Sequence, residues 1–209
     1  MRLVYRGAEA DIFSGEWSGE RAVFKFRKPL PYRLPVLDAE IRGQRTIHEA
    51  QLLHDSKSAG VLSPFLYYAS PKESLIVMEE IEGPRLRSVL KSAGSYSGNV
   101  SCSFGSAVAR LHAAGIMHGD LTTSNVIVND AGVYLIDFGL AIRSLRIEDH
   151  AVDLRVIKET LVGAHSDCAD IVMKRFLDGY SSVVGEKRTK DVTRKLAEIE
   201  RRGRYARVE

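Results

Sequence analysis

Cysteine is scarce in this chain: 209 residues contain only Cys102 and Cys168, far apart and not in a C-x-x-C pair. That excludes a disulfide-stapled scaffold and a thiolate metal centre, and predicts two free thiols in a reducing cytoplasm. The six histidines show no metal-ligand spacing, so His112 and His118 are expected to be helix and loop residues rather than ligands. No apolar run is long enough to span a bilayer, and Met1 to Gly7 lacks the apolar stretch and small-residue cleavage site of a signal peptide. The expectation is a cytoplasmic protein with no membrane partner. There is no internal repeat and no long low-complexity tract. Excess charge of one sign is nearly absent too. The net charge is +3, and residues 201–209 account for all of it through Arg201, Arg202, Arg204, Arg207 and Glu209. Hydrophobic residues at 44% and charged residues at 27% are otherwise ordinary for a soluble globular protein.

What is present centres on Ile116 to Gly139, I-M-H-G-D-L-T-T-S-N-V-I-V-N-D-A-G-V-Y-L-I-D-F-G. Val126–Val128 and Tyr134–Ile136 are short apolar runs, and Asn129-Asp130-Ala131-Gly132 between them has hairpin-turn chemistry. A loop, a strand, a turn, a strand and a second loop follow. That layout lets Asp120, Asn125 and Asp137 converge. Asn125 and Asp137 are hard oxygen donors suited to Mg²⁺ shared with a triphosphate. Asp120 is then free to orient a hydroxyl or water and accept its proton. The spacing resembles the H-R-D-x-x-x-x-N and D-F-G signatures of protein kinases.

Three strands are expected before residue 27: Leu3–Arg6, Asp11–Trp17 and Ala22–Phe26. The kinase resemblance places Gly7-Ala8-Glu9-Ala10 where a glycine-rich loop covers ATP phosphates, although only Gly7 of that pattern remains. It makes Lys25, in Ala22-Val23-Phe24-Lys25, the lysine that neutralises the α- and β-phosphates. Val23 shares its strand face and is expected to pack on adenine. Residues 27–37, with Pro29, Pro31 and Pro35, predict an extended connector with a basic face. A helix is expected from Asp38 as N-cap. Glu49 on that helix is the expected partner of Lys25, with Glu40 as the alternative. Strands at Phe65–Ala69 and Leu75–Met78 follow. Met78 is expected at the back of the adenine pocket, and backbone groups of Glu79 and Ile81 at its edge.

The remainder is expected to be helical: from Leu86 to Leu90, then past a break at Gly94–Asn99 along a stripe of Phe104, Ala107, Val108 and Leu111. Further helices are expected at Ala151–Leu161, Cys168–Tyr180 and about Lys190–Arg202. Together these give an α+β, bilobal, truncated kinase-like fold, with residues 1–80 as the small sheet lobe and 81–209 as the helical lobe. The basic tail from Arg201, with Gly203 for flexibility and Tyr205 for stacking, suits RNA phosphates or an acidic partner groove.

Across nearly its whole length the chain resembles the small atypical protein kinases of the KEOPS complex, in their compact archaeal form. The matching stretches are G-A-E-A at 7–10, A-V-F-K at 22–25, P-x-P-Y-R-x-P-x-L-D at 29–38 and R-T-x-x-E-A-x-L-L at 45–53. H-G-D-L-T-T-S-N at 118–125, L-I-D-F-G-L-A at 135–141 and R-R-G-R-x-x-R at 201–207 complete the set. The resemblance implies ATP and Mg²⁺ as cofactors and serine/threonine kinase or ATPase activity. It also implies association with a Kae-type metalloenzyme subunit and other KEOPS subunits in making threonylcarbamoyladenosine on tRNA. Asp153 is expected to accept backbone hydrogen bonds from the catalytic loop. Departures from signalling kinases are informative. Gly119 replaces the arginine of H-R-D, no A-P-E follows D-F-G, and 13 residues separate Gly139 from Asp153. Switching by loop phosphorylation is therefore not expected. Two rival functions stand beside this. A small-molecule kinase of the aminoglycoside or choline type would normally be longer and carry substrate-binding helices. A non-catalytic scaffold has no need to retain Lys25, Asp120, Asn125 and Asp137 together.

Overall fold

A computed structural model describes residues 1–92 and 97–205. The chain opens with strands β1 (Arg2–Arg6), β2 (Ala10–Trp17) and β3 (Glu20–Arg27), then helix α1 (Pro35–Ser58) and strands β4 (Leu66–Ser70) and β5 (Leu75–Glu79). These strands form one antiparallel sheet in the order β1-β2-β3-β5-β4. Its two faces are chemically distinct because β3 alternates side to side. Ala22 and Phe24 pack with Leu75 and Val77 under Phe13 and Trp17. Val23, Lys25 and Arg27 fall on the opposite side, toward α1 and the cleft.

Helix α1 starts earlier than the sequence suggests. Leu34 is its cap residue and Pro35 its first residue, so Asp38 lies in the first turn rather than at the cap. Proline fits there because the first helical amide has no intrahelical acceptor. Asp38 instead is buried, accepting the Leu30 amide at 3.3 Å and the Arg42 guanidinium at 2.6 Å. Its hydrogen bond with Arg42 is the main reason its pKa falls below the ordinary value. The proline-rich stretch is thereby tied down onto the helix that follows it.

Beyond β5 come α2 (Leu86–Ser92), α3 (Ser97–Ala113), β6 (Ile116–Met117), the hairpin β7 (Val126–Asn129) and β8 (Gly132–Leu135), and β9 (Ile142–Arg143). Helices α4 (Ile147–Ala164) and α5 (Ala169–Tyr205) close the chain. The expected break at Gly94–Asn99 falls partly outside the described residues, and its end, Ser97–Asn99, is helical. The two helices expected near the C-terminus form one long element interrupted at Gly185, where φ is +81°. Helices α3 and α5 cross in direct backbone contact. A β-carbon on Gly105 would collide with the Phe176 carbonyl, and one on Gly179 with that of Cys102. One core cluster runs from Leu52, Ile76 and Met78 down to Phe104, Leu111, Leu154 and Phe176. It therefore welds α1 and the inner strand to the helical lobe. Cys102 and Cys168 are free thiols. Among the described residues no helix is long and apolar enough to cross a membrane.

Candidate active site

The cleft lies where β3, α1 and the two loops flanking the β7–β8 hairpin meet. Lys25 Nζ reaches Glu49 Oε1 at 2.6 Å and Asp137 Oδ1 at 2.8 Å. Lys25 and Glu49 are 6% and 2% exposed, so this ion pair is largely dry. Burial alone would lower the Lys25 pKa, but the Glu49 and Asp137 carboxylates outweigh it and hold the value above that of free lysine. Burial works against the Asp137 charge as well, and Lys25 overcomes it, so Asp137 stays below the usual carboxylate range. Glu40, the alternative partner, is exposed and bonds Gln44 on its own helix.

Sequence reasoning missed Arg27. It lies two residues after Lys25 on the same strand face, and its guanidinium also pairs with Glu49. Glu49 thus holds two cations, and α1 is clamped to β3 at two points. The period-two alternation of a strand was the available signal.

Asp120 and Asn125 lie together on the catalytic loop. Asn125 Nδ2 donates to the Asp120 carbonyl at 3.0 Å and to its Oδ2 at 2.7 Å. Asn125 therefore aims Asp120 and keeps its own carboxamide oxygen for a ligand. Asp137 follows β8 with φ at +64°, a conformation that costs an aspartate energy and recurs at functional sites. Its Oδ1 takes Lys25 and the Gly139 amide at 3.2 Å, which leaves Oδ2 without a hydrogen-bond partner among the described residues. The Asn125 and Asp137 oxygens form a hard donor set, and that chemistry fits Mg²⁺.

Several braces hold this loop, and histidines supply most of them. Asp153 is fully buried and accepts the His118 amide at 2.7 Å, the Gly119 amide at 2.8 Å and His112 Nε2–H at 3.1 Å. Tyr180 donates to His112 Nδ1 at 2.9 Å. His150 stacks on His112 with ring centroids 4.1 Å apart. It donates from Nε2 to the Ser144 carbonyl and accepts from Arg188 at Nδ1. Burial, then the neighbouring His112 and Arg188, pushes the His150 pKa down to about 4. His118 is likewise lowered by burial. Its neutral ring donates to Ile136 O at 3.2 Å and receives the Asp120 amide at 3.3 Å. Phe138 is buried against it.

The segment after Gly139 packs tightly. His48 of α1 donates to the Ala141 carbonyl at 3.0 Å, Arg143 pairs with Asp55, and β9 pairs with β6. Gly119 sits at φ +82°, and a β-carbon there would strike the Leu140 carbonyl. That close approach explains why no arginine can occupy this position.

Around the nucleotide-facing edge, Glu9 pairs with Arg45 of α1 at 2.6 Å, which accounts for an acidic residue in the Gly7–Ala10 turn. The turn closes with Gly7 N donating to Ala10 O at 2.9 Å, so Ala8 lies at its tip. Val23 pairs with Met78 across β3 and β5. The Glu79 amide is taken by the Phe65 carbonyl at 2.8 Å, so its carbonyl is what it can offer a purine. Ile81 follows in the extended linker. Helix α5 continues through Tyr205, so Gly203 is helical rather than a flexible spacer, in keeping with the helix-forming residues around it. Arg201 and Arg202 are exposed, with Arg202 3.8 Å from Glu148. The Arg204 side chain and all of Arg207 lie outside what the structure describes. An open depression of about 440 Å³ on α1, lined by Gln44, Arg45, Ile47, His48 and Gln51, holds none of the phosphoryl-transfer groups.

A sheet lobe, a helical lobe and a Lys–Glu–Asp contact between them define a phosphotransferase of the protein kinase type. The protein kinase domain model matches residues 35–163. Solved structures with the same fold include Rio2 kinase from Chaetomium thermophilum in its ADP/Mg²⁺-phosphoaspartate complex, with a TM-score of 0.64 and 17% identity over 96% of this chain and 72% of that one. WaaP in complex with acyl carrier protein gives a TM-score of 0.68 at 15% identity, over 98% and 88% of the two chains. The chain is 38% identical to KEOPS complex subunit Bud32 of Pyrococcus abyssi, over 98% of this chain and 96% of that protein. It is 39% identical over 97% of its length to a probable bifunctional tRNA threonylcarbamoyladenosine biosynthesis protein of Methanothermobacter thermautotrophicus, of which it spans 36%. The chain belongs to the Bud32 family of atypical protein kinases.

Proposed function

We propose that this chain is an ATP-dependent serine/threonine kinase and ATPase that works in the cytoplasm as a KEOPS subunit, supporting threonylcarbamoyladenosine formation on tRNA. The names of its relatives support the pathway, and one observation carries the chemistry: a single buried lysine bridges Glu49 on α1 and Asp137 on the catalytic side. Residues 1–80 and 81–209 act as the two lobes. Adenine lies against Val23 and Met78, with the Glu79 carbonyl and the Ile81 amide at its edge. Gly7, Ala8, Glu9 and Ala10 cover the phosphates through their backbone. Lys25 offsets the charge of the α- and β-phosphates, and Glu49 keeps it aimed.

Asn125 and Asp137 hold Mg²⁺, which when bound offsets the charge on the phosphate oxygens. Asp120 orients the acceptor, a Ser/Thr hydroxyl or water, and takes its proton. The acceptor oxygen bonds to the γ-phosphorus as the bond to the bridging oxygen breaks, releasing ADP. A Kae-type metalloenzyme subunit is the proposed partner that completes the acceptor side. Arg201, Arg202, Arg204 and Arg207 are proposed to meet tRNA phosphates. Asp137→Ala should raise the barrier by about 3 kcal/mol, on the scale of a lost electrostatic contact at a reacting centre. Phosphate release from Mg-ATP measures this, and unchanged turnover would refute the assignment.

A further inference from the structure

The catalytic loop from His118 to Asn125 contains no lysine or arginine, and its one full charge, Asp120, is negative. Lys25, on the opposite lobe, is shared between two carboxylates. A polyphosphate entering this cleft therefore meets little positive charge from the helical lobe, unless another element supplies it. Arg85 does. We propose that Arg85 contacts the phosphate chain of the nucleotide from the cleft floor, opposite Lys25.

Its backbone is fixed before its side chain is considered. Arg85 forms an antiparallel bridge with Ile127, two residues after Asn125. The Pro84 carbonyl accepts the Val128 amide at 3.0 Å, and the Arg87 amide reaches the Thr123 carbonyl at 2.9 Å. The linker from the hinge is thus laid along β7 and the catalytic loop. From that base the Arg85 side chain extends over the loop, and Nη1 donates to the Ser124 carbonyl at 2.9 Å. Ser124 is the neighbour of Asn125. Partial burial pulls the pKa of the guanidinium below the ordinary arginine value, and the Asp137 carboxylate acts on it in the opposite direction. Only one of its five donors is engaged among the described residues, and the residue as a whole is exposed. The guanidinium is thus held against the residue before Asn125 and within electrostatic reach of Asp137, the two residues assigned to the metal. A planar fork with free donors in that position suits a phosphate oxygen better than a point charge would.

The inference rests on the nucleotide reading of the cleft, and the experiment separates the two. Affinities of the wild-type chain, Arg85→Ala and Arg85→Lys for Mg-ATP, ADP and adenosine are measured by titration calorimetry, with thermal melting as the control for folding. Arg85→Ala should weaken ATP and ADP about tenfold, the size of a charge-assisted hydrogen bond, and leave adenosine unchanged. Arg85→Lys should recover part of that loss. If Arg85 merely braces the Ser124 carbonyl, all three ligands weaken together and the melting temperature falls, which overturns the proposal. Unchanged ATP affinity in Arg85→Ala overturns it as well, with the nucleotide reading intact. Failure of the wild-type chain to bind Mg-ATP overturns both.

Discussion

Gly119 carries a steric requirement that no other residue meets. At φ +82° with the Leu140 carbonyl against its α-carbon, it lets the segment after Asp137 lie directly on the catalytic loop. Gly119→Ala should therefore cost about 2 kcal/mol of stability, from the left-handed backbone alone, and displace Asp120. Urea denaturation and turnover with Mg-ATP check the two effects separately. Arg27 makes a second residue-scale prediction. Removing it in Arg27→Met leaves Glu49 with one cation in a dry site, where breaking a buried pair costs about 3 kcal/mol. A larger loss of stability than that of exposed-pair variants such as Lys190→Met is the expected result.

At the level of elements, the catalytic loop is shaped by helices that never touch the nucleotide. Asp153 of α4 receives the His118 and Gly119 amides, and α3 and α5 hold Asp153 through His112 and Tyr180. Asp153→Ala leaves buried amides without an acceptor and should cost about 3 kcal/mol, seen as a lowered denaturation midpoint. The same cluster predicts a pH dependence. Native His150 binds a proton only near pH 4, whereas in the unfolded chain it does so near the ordinary histidine value of about 6.5. The unfolded state therefore takes up the proton first. Its contribution is fully present above about pH 6.5 and is lost as pH falls toward 4, amounting to about 3 kcal/mol. His118, shifted the same way by burial, adds to that slope. Denaturation midpoints at pH 7 and 4.5 test this, and His150→Gln should flatten the difference.

The strands and the Asp120–Asn125–Asp137 set were legible because each rests on local chemistry: β-branched runs, a turn tetrapeptide and a fixed spacing. The start of α1 was not, because Asp38 has the composition of a cap but is drawn into a buried pocket by Arg42 and Leu30. The bracing histidines and Arg85 were hidden for a different reason. The partners that fix His112, His150 and Arg85 to other elements lie tens of residues away, and no local pattern records which distant group a side chain meets. Glu9 is the intermediate case: its acidity was visible in the sequence, but its reason, Arg45, belongs to another element.

For the whole molecule, charge is concentrated at one end. The rest of the chain is neutral on balance, and Arg201, Arg202 and Arg204 fall in the last turns of the long α5. If that end meets tRNA, deletion of residues 201–209 should abolish any stimulation of ATP hydrolysis by tRNA while leaving basal hydrolysis unchanged. Raising salt should weaken tRNA binding less steeply in the deleted chain, since fewer counterions are released. Equal stimulation and equal salt slopes in the two chains would show that the arginines play no part.

The pinned segment after Gly139 has one further consequence. It is fastened by His48, Asp55 and β6, and α1 is itself drawn onto β3 by two cations at Glu49. Moving the segment would require breaking all of these contacts together, an ordered arrangement present before any covalent mark is added.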